Sequence, residues 1–242
     1  MKQSKLLSPV AVMLLMLFSC NSGNDNKTTD TTKDSAATVT TPTPPPPSPK
    51  PAISLLIKHK VTNFNKWFAS YEGHDSVRMS YGLHNFVVGR GIKDSNTVVV
   101  ALHVDDTSKA KEFAMAPALK ERMKKAGVTG PTTFMYVINR WHDTTTDASS
   151  DRVIINQHVK DYDAWKKVFD SHLQARKDAG MTDRAVSQSI DDPNFVSVVI
   201  TIGDMKKATD FMNSKDLKDK MTEAGVVGAP DVFMYHVVKQ YH

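Results

Sequence analysis

The stretch WKKVFDSHLQAR, residues 165–176, has an earlier counterpart in WFASYEGHDSVR, residues 67–78. Trp67, Tyr71, His74 and Arg78 match Trp165, Phe169, His172 and Arg176, each displaced by 98 positions. Intervals of 0, 4, 7 and 11 return to one face of an α-helix, so each copy predicts a helix whose apolar stripe carries a histidine and an arginine. Burying either group alone costs several kcal/mol, so each needs a partner. A bound anion would serve, and so would a carboxylate or carbonyl of the protein itself.

The repeat extends well beyond the stripe. Val61, Gly82, Asp94, Phe113 and Met123 recur 98 positions later as Val159, Gly180, Asp192, Phe211 and Met221, and Ala126-Gly127-Val128 recurs at 224–226. Phe134-Met135-Tyr136 recurs as Phe233-Met234-Tyr235, which reads as one inserted residue late in the second copy. Two modules follow, residues 53–142 and 151–242, joined by a polar link at 143–150.

Each module reads strand, helix, strand, strand, helix, strand. In the first, β-branched runs predict strands at 53–61, 85–92, 97–104 and 133–141, with helices at 65–81 and from 107 to Gly127; Pro117 is expected to break the latter. In the second, the strands are 152–159, 184–190, 195–202 and 231–241, with helices at 163–179 and from 205 to Gly225. Gly82 and Gly180 close the first helix of each module. This order is the ferredoxin-like βαββαβ unit, of class α+β. Its helices cover one sheet face only. Val99, Ala101 and Val199, beside Ser197 and Thr201, put apolar side chains on the other face, which calls for a second sheet. The tandem copy supplies it, giving an intrachain pseudo-dimeric α+β barrel.

Ahead of the modules, Lys2 and Lys5 precede an apolar run at 6–18 that ends in Ser19 and Cys20, the only cysteine. Residues 1–19 read as a signal peptide, and a lone cysteine excludes an intrachain disulfide. Residues 20–52 are rich in Thr, Asn, Ser and Pro and predict a disordered tether that stiffens toward polyproline II at Pro44–Pro47. From residue 53 onward the chain holds 26 Lys and Arg against 23 Asp and Glu, so its charge is near balance and nucleic acid is not an expected partner.

Two resemblances sharpen these readings. Leu17-Phe18-Ser19-Cys20 resembles a bacterial lipobox, which implies lipidation of Cys20, the lipid bilayer as partner and, since Asn21 stands where inner-membrane retention uses Asp, a Gram-negative outer membrane. The pattern Trp-x(3)-aromatic-x(2)-His-x(3)-Arg-x(3)-Gly, with Asp-x-x-Asn and Ala-Gly-Val-x-Gly, resembles the dimeric α+β barrel superfamily near its antibiotic-biosynthesis monooxygenase and cyclase-like members. That likeness implies sheets paired face to face. Some relatives bind haem, and those that degrade it usually place a histidine on the second helix, but residues 109–125 and 206–224 contain none, so no cofactor is expected.

The candidate ligand-binding residues are Trp67, Tyr71, His74 and Arg78 in the first module and Trp165, Phe169, His172 and Arg176 in the second. His158 and His103 join them on strand parity, which points both between the sheets. No metal-ligand spacing, nucleophile elbow or phosphate-binding glycine loop occurs. The expected function is a membrane-tethered envelope protein that binds a small apolar or anionic molecule. A cofactor-independent monooxygenase or an isomerase/cyclase-like enzyme is the first alternative, and a structural envelope interaction module the second.

Overall fold

The computed structural model describes residues 51–143, 145 and 149–241. The leader, Cys20 and the tether up to residue 50 lie outside the described residues. The first module runs β1 (Ile53–Val61), α1 (Phe64–Glu72), α2 (Asp75–Ser80), β2 (Leu83–Gly91), β3 (Thr97–Val104), α3 (Thr107–Met115), α4 (Pro117–Ala126) and β4 (Val128–His142). The second repeats it as β5 (Asp151–Val159), α5 (Tyr162–Ser171), α6 (Leu173–Asp178), β6 (Met181–Ser189), β7 (Phe195–Ile202), α7 (Met205–Asn213), α8 (Lys215–Glu223) and β8 (Val226–Gln240).

All eight strands close into one antiparallel barrel in the order β1-β3-β2-β8-β5-β7-β6-β4. Each module contributes a four-stranded sheet, and two junctions join them: β2 pairs with β8 and β4 with β6. At 15 residues each, β4 and β8 are long enough to pair within their own module first and with the other module further along. The barrel interior is filled by Val87, Val99, Ile154 and Tyr235, with Leu56, Ala101, Val199 and Phe233 packed on them. The opposite sheet faces carry the helices. Trp67, Leu55, Val100 and Leu102 anchor one helix layer; Trp165, Val153, Val198 and Ile200 anchor the other.

Both helices of each module are broken, where the sequence reading had continuous ones apart from the Pro117 break. Gly73 and His74 separate α1 from α2, and His172 separates α5 from α6. His172 sits at φ −93°, ψ 12°, and its N–H is shared between the Val168 and Phe169 carbonyls, so the turn tightens and the axis shifts without losing the stripe. Pro117 does break the second helix: Ala116 is extended and Pro117 opens α4. Its counterpart breaks without proline, because Ser214 turns extended at ψ 153° and its side chain accepts from the Leu217 N–H, capping α8.

The inserted residue read from Phe233-Met234-Tyr235 is absent. Leu55 pairs with Tyr136 and Val153 with Met234, and Leu55 and Val153 are themselves 98 apart. Ile190 N–H donates to the Tyr136 carbonyl at 2.9 Å and Ile92 N–H to the Met234 carbonyl at 3.1 Å, repeating the equivalence at both junctions. The displacement therefore stays 98 through the last strand, and the three-residue match is a one-residue slip. In a strand such a slip turns every side chain to the opposite face. Phe134 and Tyr136 pack under the first module's helices, whereas Phe233 and Tyr235 point into the barrel.

Candidate functional site

The two stripes build nearly identical clamps. Trp165 stacks on Phe169 with ring centroids 5.1 Å apart, and the Arg176 guanidinium lies 3.7 Å from the Phe169 ring centre. Trp67, Tyr71 and Arg78 repeat this at 5.2 and 3.7 Å. Arg176 donates through Nε and Nη2 to both Asp183 oxygens, at 2.8 and 2.7 Å, and through Nη1 to the Phe169 carbonyl at 2.7 Å. Arg78 donates to Asn85 Oδ1 at 3.0 Å, to the Tyr71 carbonyl at 2.7 Å and to Asp75 at 3.3 Å. Both arginines thus find partners within the chain, tying a broken helix to the strand after it. Arg176 and Asp183 form a bidentate pair, 5% and 11% exposed, of the kind that costs heavily if one partner is removed.

The histidines differ between copies. His74 donates from Nδ1 to the Ser70 carbonyl at 2.5 Å, satisfying the turn in its own helix. His172 Nε2 lies 2.7 Å from Asp216 of α8, bridging the two broken helices of the second module, and its ring packs 5.4 Å from Phe211. His158 is exposed at the barrel end, 3.3 Å from Asp192 and edge-on to Phe195. His103 stays inside the barrel against Phe86, at 4.5 Å, where burial and then the charges of His142 and His84 lower its pKa.

One half of the molecule is open. A cavity of about 940 Å³ lies between the second module's sheet and helices, lined by Trp165, Phe169, His172, Arg176, Phe211 and Met221 among others. Lys58, Lys60, Lys93 and Asp94 of the first module also line it. Its size and mostly apolar lining suit a small-molecule site. Trp67, Tyr71, His74 and Arg78 do not line it, nor do His103 and His158.

The asymmetry has a cause in the strand register. Beneath the first module's helices, Phe134 and Tyr136 fill the layer and Tyr81 packs on Phe113 at 5.4 Å. The equivalent positions hold Val232, Met234 and Ala179. Loss of three aromatic rings, partly offset by Met212 in place of Ala114, leaves the cavity. Sequence reasoning missed this because it matched the wrong aromatics. It also passed over Gln157, which shares the helix-facing parity of Val153 and Val159; a polar residue in that row was the available signal.

No protein-family profile matches this sequence, and no curated protein matches it. Similar solved structures include an anthrone oxidase-like protein, with a TM-score of 0.57 at 12% identity over 79% of this chain and 93% of that one. The chain has the dimeric α+β barrel fold. A candidate monooxygenase from Fusobacterium nucleatum gives 0.53 at 11% identity, covering 78% of this chain and 93% of that one, and another from Lactobacillus acidophilus gives 0.51 at 13%, covering 78% and 94%. In this α+β barrel both sheets come from a single chain, and at such identities the likeness speaks for the fold alone.

Proposed function

We propose that this α+β barrel binds a small, largely apolar or anionic molecule in the cavity of its second module. The observation that carries the reading is the cavity itself: the same fold, with the same Trp, aromatic, His and Arg stripe, has Phe134, Tyr136 and Tyr81 filling the helix-facing layer of the first module and a hollow at the equivalent place in the second. A hollow of this size lined by Trp, Phe and Met side chains forfeits packing contacts that the first module retains, and a ligand would restore them. Titration with the fluorophore 1-anilinonaphthalene-8-sulfonate tests it. Saturable binding at one site is expected, weakened at least tenfold in Met234→Tyr. Absence of saturable binding overturns the reading.

A second reading, a cofactor-independent monooxygenase or an isomerase/cyclase-like enzyme acting in the same cavity, draws support from the descriptions of the similar structures. Against a role for Arg176 as a free cation stands its full engagement with Asp183 and Phe169.

The proposal extends to location. The lipobox-like Leu17-Phe18-Ser19-Cys20 supports lipidation of Cys20 and attachment to an outer membrane, with the module held off the bilayer by the Pro-rich tether. Fractionation of Cys20→Ser checks it: release into the soluble fraction is expected, and unchanged retention would reject the anchor. No helix among the described residues is long and apolar enough to cross a membrane.

A further inference from the structure

Gln157 lies on β5, facing the second module's helices between the apolar positions Val153 and Val159. It is 8% exposed and lines the cavity, and its side-chain amide makes no hydrogen bond to any described group. Trp165 is 2% exposed and lines the same cavity, and its indole N–H likewise has no acceptor among the described residues. Neither group is sealed in the protein: both border the cavity, where a ligand acceptor can reach an N–H that has no protein partner. The equivalent position in the first module holds His59, whose two ring nitrogens are sealed off without a partner beside Trp67. His59 also borders the cavity, yet its nitrogens are closed off, whereas the Gln157 amide is not among the sealed polar atoms and a ligand can reach it.

The charges nearby decide what kind of group fits at the buried floor. Arg176 is held by Asp183 in a bidentate pair and His172 Nε2 lies 2.7 Å from Asp216, while Lys93 and Lys218, which also line the cavity, are exposed side chains away from the buried amide. Sinking a carboxylate there would leave it unpaired at a cost of several kcal/mol, whereas a neutral carbonyl asks only for N–H donors. The Gln157 amide and the Trp165 indole supply two.

Resting on the binding reading above, we propose that Gln157 and Trp165 form the polar anchor of the cavity and select a neutral carbonyl group, a ketone, ester or amide, on an otherwise apolar ligand. The Gln157 amide N–H and the Trp165 indole N–H donate to the carbonyl oxygen, and the rest of the molecule packs on Phe169, Phe211 and Met221.

Two fluorescent probes that differ only in a carbonyl group test this: 6-propionyl-2-dimethylaminonaphthalene and 2-dimethylaminonaphthalene. The intact barrel should bind the propionyl probe at least tenfold more tightly. In Gln157→Met, which keeps length and volume, that preference should fall below threefold, and the propionyl probe's emission should shift to shorter wavelength as the hydrogen bond is lost. Trp165→Phe keeps a ring and removes the N–H, and should reduce the preference without abolishing binding of the parent probe. If both probes bind and Gln157→Met leaves the preference intact, the anchor is refuted while the cavity reading stands. If the unsubstituted protein binds 1-anilinonaphthalene-8-sulfonate but neither of these probes, the anchor alone is refuted; if it binds none of the three, both fall.

Discussion

Tyr136 and Met234 occupy the same place in their modules, each accepting a hydrogen bond on its carbonyl from the strand of the opposite half, Ile190 and Ile92 respectively. Tyr136 is 6% exposed and its hydroxyl donates to the Ala110 carbonyl at 3.0 Å. Ala208 is the counterpart of Ala110 and is fully buried in the second module. Met234→Tyr should therefore place a ring in the cavity and its hydroxyl on the Ala208 carbonyl. Cavity filling of this type contributes about 0.5–2 kcal/mol. Thermal unfolding should show a higher midpoint, with 1-anilinonaphthalene-8-sulfonate affinity down at least tenfold.

The reverse exchange, Tyr136→Met, removes a buried hydrogen bond and opens space in the filled half. A loss of about 2–4 kcal/mol is expected from the void and the orphaned carbonyl together. Urea unfolding at neutral pH measures it; a change under 1 kcal/mol would show that the first module does not need its aromatic filling.

Asp183 is the only carboxylate among the described residues that pairs with Arg176. Asp183→Ala strands a guanidinium that is 5% exposed, and breaking such a pair costs about 3–5 kcal/mol. The counterpart of Asp183 is Asn85, so the carboxylate to remove in the first module is Asp75; Asp75→Ala should cost clearly less, because Asp75 is 47% exposed and Arg78 keeps Asn85 and the Tyr71 carbonyl. Paired unfolding curves of the two variants check the order.

His59 gives the fold an acid sensitivity. Its burial against Trp67 lowers its pKa from 6.5 to about 4. An unfolded chain takes up the proton near 6.5 while the folded one resists until about 4, so stability is complete above the higher value and declines as pH falls through that window. Over the whole interval the loss is about 3 kcal/mol. His59→Gln, which installs the residue found at the equivalent position 157, should flatten the slope between pH 7 and pH 4.5 in denaturant titrations.

Gly89 of β2 fits only without a side chain. A Cβ there would stand 2.2 Å from the Tyr235 ring across the β2 and β8 junction. Gly89→Ala should destabilise the barrel by about 1–3 kcal/mol through overpacking, with Tyr235→Val in the same chain restoring most of the loss. Non-additivity of the two changes in a double-mutant cycle is the readout.

The fold was largely legible because its evidence was periodic. Strands at Ile53–Val61, Thr97–Val104 and Phe195–Ile202 stand where their β-branched runs predict, and the 98-residue displacement led to the paired modules. The helix breaks at His74 and His172 were hidden, since a histidine on an amphipathic stripe carries no local signal for a change of axis. The partners of Arg78 and Arg176 were hidden too: Asn85 and Asp183 lie 7 residues on, across a turn, and only the return of β2 and β6 beneath the helix brings them into reach. The cavity escaped notice for a sharper reason. Three identical residues at a displacement of 99 outweighed the correct register, and in a strand an error of one residue exchanges the two faces.

Fusion of the two halves into one barrel frees them from sameness. Two identical chains related by a twofold axis must carry identical cavities, since any substitution appears on both sides. Here Tyr136 and Met234 belong to one polypeptide and vary independently, so one half keeps a packed interior as ballast for stability while its twin gives up three rings to make room. Junctions β2 with β8 and β4 with β6 hold the pair together at both seams. Division of labour between scaffold and receptacle is thus available to this chain in a way that a symmetric assembly of separate subunits forbids.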